Sequence, residues 1–242
     1  MIKGGFAVVT GAASGIGEAL AVTLDRLGVG ALALLDIDRD GLERVAAGLT
    51  TARTSLHPVD LGDGHTLTKA FAEIGRLDRP IDFLFNNAGI PAGTPAWPDT
   101  GLDRIARIIQ VNLLGVIQTT RLALPLMRRP GGSILNTASV SGLRPYLSGA
   151  VYAASKAGVI MFTQSCADLA DRDGVRVNAI CPGIVDTAFL DKTGTGGKRA
   201  DWLVERLKAG GVLSSETVAR AAIDLACDET RAGQFEVLEA AG

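Results

Sequence analysis

The chain has 242 residues, 47% of them hydrophobic and 21% charged, enough apolar material for a sizeable core within one α/β domain. A net charge of −2 leaves no electrostatic footprint for nucleic acid or an anionic membrane surface. Three dispersed cysteines without a CxxC, and only two histidines, exclude a disulfide framework and argue against a metal site.

The N-terminus enters an apolar strand predicted at residues 6–10, too short for a signal peptide. No later run reaches membrane-spanning length, so a soluble, cytoplasmic protein is expected. An amphipathic helix follows from about residue 16, with Ile16, Leu20, Leu24 and Leu27 on one face and Gly28 as its stop. A second strand spans 31–36 and a third 54–60. His57 and the nearby His65 read as surface or loop residues. A helix at 65–74, a strand at 81–86 and a long helix at 102–129, bent at Pro125, come next. The remaining elements are strands at 133–138, 176–181 and 235–238, and helices at 151–171 and 215–227.

Most of these strands are nearly continuous in apolar residues, as strands covered on both faces are. Their alternation with helices predicts a doubly wound Rossmann fold. Its seven-stranded parallel sheet carries helices on both faces, and residues 1–242 form a single nucleotide-binding domain. Residues 184–211 break the rhythm. This long glycine-rich stretch directly after a strand reads as a substrate lid.

Between the first strand and helix lies Gly11-Ala12-Ala13-Ser14-Gly15-Ile16-Gly17. Glycines there let the backbone approach a pyrophosphate, which the free N–H groups and dipole of the helix N-terminus would hold. Asp36 ends the second strand, where a carboxylate accepts from the ribose hydroxyls and repels a 2′-phosphate. Ile37 follows it, and Ser14 rather than a cation precedes Gly15, so NAD is favoured over NADP.

Tyr152 and Lys156 stand four apart in a stretch that reads as helical, hence on one face. An ammonium beside a phenol lowers its pKa, and a phenolate can take a proton from an alcohol. Alone, such a pair is more often a solvated helix face. The rest of the chain changes that reading. Thr10-Gly11-x-x-x-Gly15-x-Gly17, Asn86-Asn87-Ala88-Gly89, Asn112, Ser139, Tyr152-x-x-x-Lys156 and Pro182-Gly183 occur in this order. In these motifs, from Thr10 to about Thr187, the chain closely resembles the short-chain dehydrogenase/reductase family in its short single-domain form.

The resemblance implies that Ser139 holds the substrate oxygen and Tyr152 is the acid/base. Lys156 lowers the tyrosine pKa and binds the nicotinamide ribose, and Asn112 interrupts its helix to hold a proton-relay water. Gly11, Ser14, Gly15, Ile16, Gly17, Asp36 and Ile37 are then the phosphate and adenosine contacts. Asp60, Leu61, Asn87, Ala88 and Gly89 line the adenine and ribose sites. Pro182, Gly183, Val185 and Thr187 face the nicotinamide carboxamide. Val140, Leu143, Tyr146, Phe189 and Trp202, with Ser139 and Tyr152, line a largely apolar pocket for a neutral hydrophobic or alicyclic alcohol, and Trp97 is a further candidate. Asn86 has an alternative role as a tie between neighbouring strands, and Ser139 as a turn cap.

Two departures from the family pattern stand out. Glu239-Ala240-Ala241-Gly242 replaces an Asp-Gly-Gly-like turn, in a region that packs between subunits of similar tetramers, so a homo-oligomer is expected as either tetramer or dimer. The lid sequence Thr193-Gly194-Thr195-Gly196-Gly197 is unusually loose, which predicts closure on binding. A serine hydrolase is disfavoured because no G-x-S-x-G surrounds Ser139 or Ser14. A non-catalytic NAD sensor would be marked by loss of Ser139, Tyr152 or Lys156, and all three are present.

Overall fold

The computed structural model describes residues 2–127, 132–194, 198–199, 203–204 and 211–240. Seven strands form one parallel sheet: β1 (Phe6–Thr10), β2 (Ala31–Asp36), β3 (Arg53–Pro58), β4 (Phe83–Asn86), β5 (Gly132–Thr137), β6 (Val175–Pro182) and β7 (Phe235–Leu238). Their order is β3-β2-β1-β4-β5-β6-β7, the doubly wound topology expected. Because successive side chains of a strand point to opposite faces, each inner strand feeds two cores. In β1, Ala7 and Val9 join Leu20, Leu24, Val218 and Ile223 on one side. Phe6 and Val8 join Leu67, Phe71 and Ile74 on the other.

The helices are α1 (Gly15–Arg26), α2 (Arg39–Ala47), α3 (Gly64–Gly75), α4 (Leu102–Ile109), α5 (Gly115–Ala123), α6 (Ala150–Ser165), α7 (Leu169–Asp173) and α8 (Ser215–Cys227). Helix α2 lies where the sequence predicts none. It is short and polar, but the Asp38 side chain accepts from the Gly41 N–H at 3.0 Å as its cap, and Leu42 and Val45 are buried.

The long helix predicted at 102–129 is interrupted. A π-helical turn, Gln110–Leu114, separates α4 from α5, and a 3-10 turn at Leu124–Leu126 carries Pro125. Arg128 and Arg129 lie outside the described residues. Likewise the helix predicted at 151–171 divides into α6 and α7, and Gly174 in the left-handed region ends the second piece.

His57 corrects its assignment as a surface residue. It is buried on β3, with Nε2 3.0 Å from the Ser55 hydroxyl, and burial lowers its pKa. His65 is exposed on the first turn of α3. Among the described residues no helix is long and apolar enough to cross a membrane, and none form a cluster of metal-ligating side chains.

Asn86 does tie strands together. Its amide donates to the side-chain oxygens of Asn136 on β5, at 2.9 Å, and Thr120 on α5, at 3.1 Å. Asn136 continues the chain to Thr163 on α6 at 2.9 Å. This buried polar ladder fixes the sheet against the helices that carry the site, with each partner satisfied.

Candidate functional site

Strand order reverses between β1 and β4, and the carboxyl ends of strands beside such a switch point splay into a crevice. A cavity of about 780 Å³ opens there. Gly11, Ser14, Gly15 and Ile16 form its floor at the start of α1, with Asp36, Ile37, Asp60 and Leu61 towards one end. Asn87, Ala88 and Gly89 follow β4, and Ser139, Tyr152, Lys156, Pro182, Gly183, Val185 and Thr187 stand at the other end.

The glycine turn is dictated by contact distances. Gly11 has φ +67, and a Cβ on it would sit 2.8 Å from Ala88 Cα. Gly17 does not line the cavity, but a Cβ there would stand 1.9 Å from the Gly11 carbonyl oxygen. Its role is therefore to let α1 close against the turn. Thr10 joins this turn to β4: its hydroxyl accepts from the N–H groups of Asn87 and Ala88, at 3.0 and 3.1 Å.

Asp36 is held by two donors, the Ala13 N–H on Oδ2 and the Asp38 N–H on Oδ1, both at 3.0 Å. The carboxylate thus spans the phosphate turn and the edge of the cavity. Ile37 beside it is exposed. Asp60 pairs with Arg107 of α4 at 2.8 Å. Burial pushes its pKa up, but the guanidinium and the Gly62 N–H outweigh this and hold it below the usual carboxylate range. Nothing in the local pattern around Arg107 announces it, because its partner is remote in sequence.

At the other end α6 delivers Tyr152 and Lys156. A Cβ on Gly142 would lie 2.7 Å from the Lys156 backbone carbon, so that glycine lets the turn after β5 rest directly on α6. Ser139, immediately before this turn, is brought to Tyr152. Its hydroxyl also accepts from the Ser141 N–H at 3.1 Å, so the turn-cap role and the site position coexist. The Lys156 ammonium donates to the Thr137 carbonyl at 2.8 Å and lies 5.8 Å from the Tyr152 ring centre. Tyr146 meets that ring edge-on at 6.4 Å, and Phe189 is tilted against it at 6.1 Å.

Burial governs the protonation of this pair. It pushes the Tyr152 phenol up to about 12, against the downward pull of the hydrogen bond with Ser139 and with a further upward push from the Tyr146 phenol. It also pushes the Lys156 amine down to about 8. The phenol depressed by its lysine, expected from their spacing, is therefore corrected. The ammonium is turned to a carbonyl, and loss of water disfavours both charged forms.

Asn112 sits inside the π-helical turn and is fully buried. Its Oδ1 accepts from the Ile90 N–H at 2.8 Å, and its Nδ2 donates to the Ile90 carbonyl at 3.0 Å and the Ser155 hydroxyl at 3.3 Å. It binds the loop after β4 to α6.

Tyr146 and Phe189 line the cavity. Val140, Leu143 and Trp97 do not, and both Leu143 and Trp97 are exposed. Trp202 lies outside the described residues, as do Thr195, Gly196 and Gly197 of the predicted lid. Its described part begins as a bridge, Val185 against Leu213, and Arg199 pairs with Asp186 at 2.9 Å and Asp191 at 2.6 Å. Leu147, Leu190 and Thr193, from the stretches expected to surround the substrate, also form the wall, whereas Ser148 is a wall residue the sequence did not single out.

The family model described as short chain dehydrogenase matches residues 5–196. Meso-2,3-butanediol dehydrogenase of Serratia marcescens is 34% identical, over 92% of this chain and 87% of that protein. The NAD(+) 15-hydroxyprostaglandin dehydrogenase of Mus musculus is also 34% identical, over 96% of this chain and 88% of its own. Among solved structures, a short chain dehydrogenase from Burkholderia cenocepacia J2315 in complex with NADP superposes with a TM-score of 0.87. It is 28% identical and covers 98% of this chain and 97% of its own.

Proposed function

The chain belongs to the short-chain dehydrogenase family, and on that premise we propose that it interconverts a secondary alcohol and a ketone with NAD as cofactor. The carrying observation is the Tyr152 phenol, set with Ser139 and backed by Lys156 in the wall of a dinucleotide-sized cavity. The cavity's residues suit such a cofactor. The N-terminus of α1 would hold the pyrophosphate, Asp36 the adenosine ribose and Lys156 the nicotinamide ribose. When bound, the nicotinamide supplies or accepts the hydride.

The protein's own part is proton transfer and orientation. In the reductive direction, the Ser139 and Tyr152 hydroxyls face the ketone oxygen, and Tyr152 gives up its proton as that oxygen gains charge. A phenol held at about 12 is fully protonated at neutral pH, the state this direction requires. In oxidation the same phenolic oxygen receives the alcohol proton. Asn112 acts by fixing α6 against the loop at Ile90, so Tyr152 keeps its aim.

The substrate end supports a neutral, largely apolar alcohol. Tyr146, Leu147, Phe189 and Leu190 surround Tyr152 there, with serines and threonines as further polar groups and, among the described residues that line this end, Lys156 as the charged one. For the cofactor, the Asp36 carboxylate favours NAD, although one structural relative is NADP-bound. Reduced-nicotinamide absorbance with a panel of secondary alcohols and ketones, run with both cofactors, tests the reading. Turnover with NAD that Tyr152→Phe abolishes, while cofactor still binds, is the expected result. Near-normal turnover by Tyr152→Phe overturns it.

A further inference from the structure

After β4 the chain leaves the sheet and runs along the substrate end of the cleft. This strip starts at Gly89, where a Cβ would stand 3.5 Å from the Lys156 ammonium nitrogen. It reaches Trp97, whose N–H donates to the Ser148 carbonyl at 3.3 Å, next to Tyr146 and Leu147 of the facing wall. Between these points Ile90, Pro91 and Ala92 line the cavity. Outside a sheet their carbonyls need other partners. Asn112 takes that of Ile90 at 3.0 Å, and Arg104 of α4 takes the next two. Its Nε donates to the Ala92 carbonyl at 3.2 Å and its Nη2 to the Pro91 carbonyl. Two donors on one edge of a rigid plane fix the strip in direction as well as distance. Gly93 completes the seat. It turns the chain at φ +75, and a Cβ on it would stand 3.1 Å from the same guanidinium.

Stability alone does not account for an arginine here. Burial, and then the charge of Arg107 one turn further on, lower its pKa, and among the described residues no carboxylate offsets this. Nor does Arg104 line the cavity, so its effect on a ligand passes through Pro91 and Ala92. We propose that Arg104 is a positioning residue for substrate size: by tying the Pro91–Ala92 wall to α4 it stops that wall from receding, and so sets the largest secondary alcohol or ketone that reaches Tyr152. This inference rests on the alcohol–ketone reading of the cleft. A pinned apolar wall excludes a larger ring by overlap, whereas a wall free to shift accommodates it.

The test measures kcat and KM with NAD for 2-propanol, cyclohexanol and menthol, which are secondary alcohols of increasing bulk. The wild-type protein should discriminate against menthol relative to cyclohexanol. Arg104→Met should shrink that ratio of kcat/KM values by about tenfold, the scale of one methylene-sized step in an apolar pocket, and through KM more than kcat. Arg104→Lys, which keeps a donor but not the fork, should restore part of the discrimination. Gly93→Ala is the second probe, and it decides alone if Arg104→Met does not fold. Its Cβ pushes the strip off an intact arginine, so the ratio should move in the same direction. Uniform loss on all three alcohols, no wild-type discrimination, an unchanged ratio in the folded variants, or failure of both variants to fold overturns the inference. A wild-type protein that binds NAD but oxidises none of the three overturns the alcohol–ketone reading itself.

Discussion

Replacing Lys156 with methionine should make the ligand-free protein more stable while removing its activity. The lysine is 3% exposed, its ammonium has one hydrogen bond among the described residues, to the Thr137 carbonyl, and burial pushes its pKa from 10.5 to about 8. At 1.36 kcal/mol per pKa unit, that depression corresponds to about 3 kcal/mol of destabilisation at pH 7. Methionine has similar length and no charge. It leaves the Thr137 carbonyl without this donor, a cost of about 1 kcal/mol. The net gain is about 2 kcal/mol, or roughly 4–8 °C in Tm for a chain of this size.

The pH dependence separates this cause from better packing. Below pH 8 the lysine is charged in both states, and the whole cost falls on the folded one. Between pH 8 and 10.5 the folded amine is neutral while the unfolded chain still binds the proton, so wild-type stability climbs with pH. The advantage of Lys156→Met should therefore shrink by about 1 kcal/mol between pH 7 and pH 9. Tyr152, held at about 12, contributes only above pH 10, and the thiols are common to both proteins. Urea unfolding of both proteins at the two pH values, free of nucleotide, is the assay. A variant no more stable than wild type at pH 7, or an advantage unchanged at pH 9, refutes the reasoning.

Three further outcomes are expected. Gly17→Ala places a Cβ against the Gly11 carbonyl at 1.9 Å, and should cost about 1–3 kcal/mol of stability and most of the NAD affinity; wild-type affinity by titration would contradict this. Asp25 near the end of α1 accepts from the N–H groups of Thr50, Thr51 and Ala52 at 3.0, 2.9 and 2.7 Å. Burial raises its pKa, but these donors outweigh it and the folded value is lowered. Its stabilisation is then present above the ordinary carboxylate value and lost as pH falls through the folded one. Asp25→Ala should thus cost about 2–3 kcal/mol at pH 7 and much less at pH 3, read by thermal unfolding. Finally, Tyr146→Ala should raise KM for an alicyclic alcohol by about tenfold or more and for 2-propanol far less, because the lost wall contacts only the larger ring. Equal effects on both substrates would exclude that wall as a substrate contact.

What could be read in the sequence follows from the range of the interactions involved. The inner strands were legible because burial on both faces leaves a continuous apolar run, and β1 and β2 fall at their predicted bounds, as does the partly exposed edge strand β7. Helix α2 was not, since Leu42 and Val45 are its main buried anchors and Gly41 interrupts the pattern, although Asp38 was a legible cap. The π-helical turn at Asn112 adds one residue to a helical register, a change too small for periodicity to reveal. Glycine spacing announced the phosphate turn, but it did not distinguish Gly11, which meets the cavity, from Gly17, which packs behind it. Arg107 and the direction of the Tyr152 shift depend on contacts and burial that only the folded chain defines.

These observations also explain how so costly a lysine is kept in place. Among the described residues Lys156 has no counter-charge: its hydrogen-bond partner is a backbone carbonyl, and the nearby Cys181 thiol is itself pushed up to about 11 by burial. Its position is imposed from outside the site. Gly142 seats the turn after β5 on the lysine's own backbone, while Asn112 ties the next residue towards the N-terminus, Ser155, to the loop at Ile90. The polar ladder from Asn86 through Asn136 to Thr163 then holds α6 to the sheet about two turns beyond Lys156. With α6 fixed on three sides, Lys156 cannot escape to water by a small shift of the helix. A substitution at Asn112 or Gly142 should therefore disturb catalysis through the aim of Tyr152 and Lys156, even though neither residue need touch a substrate.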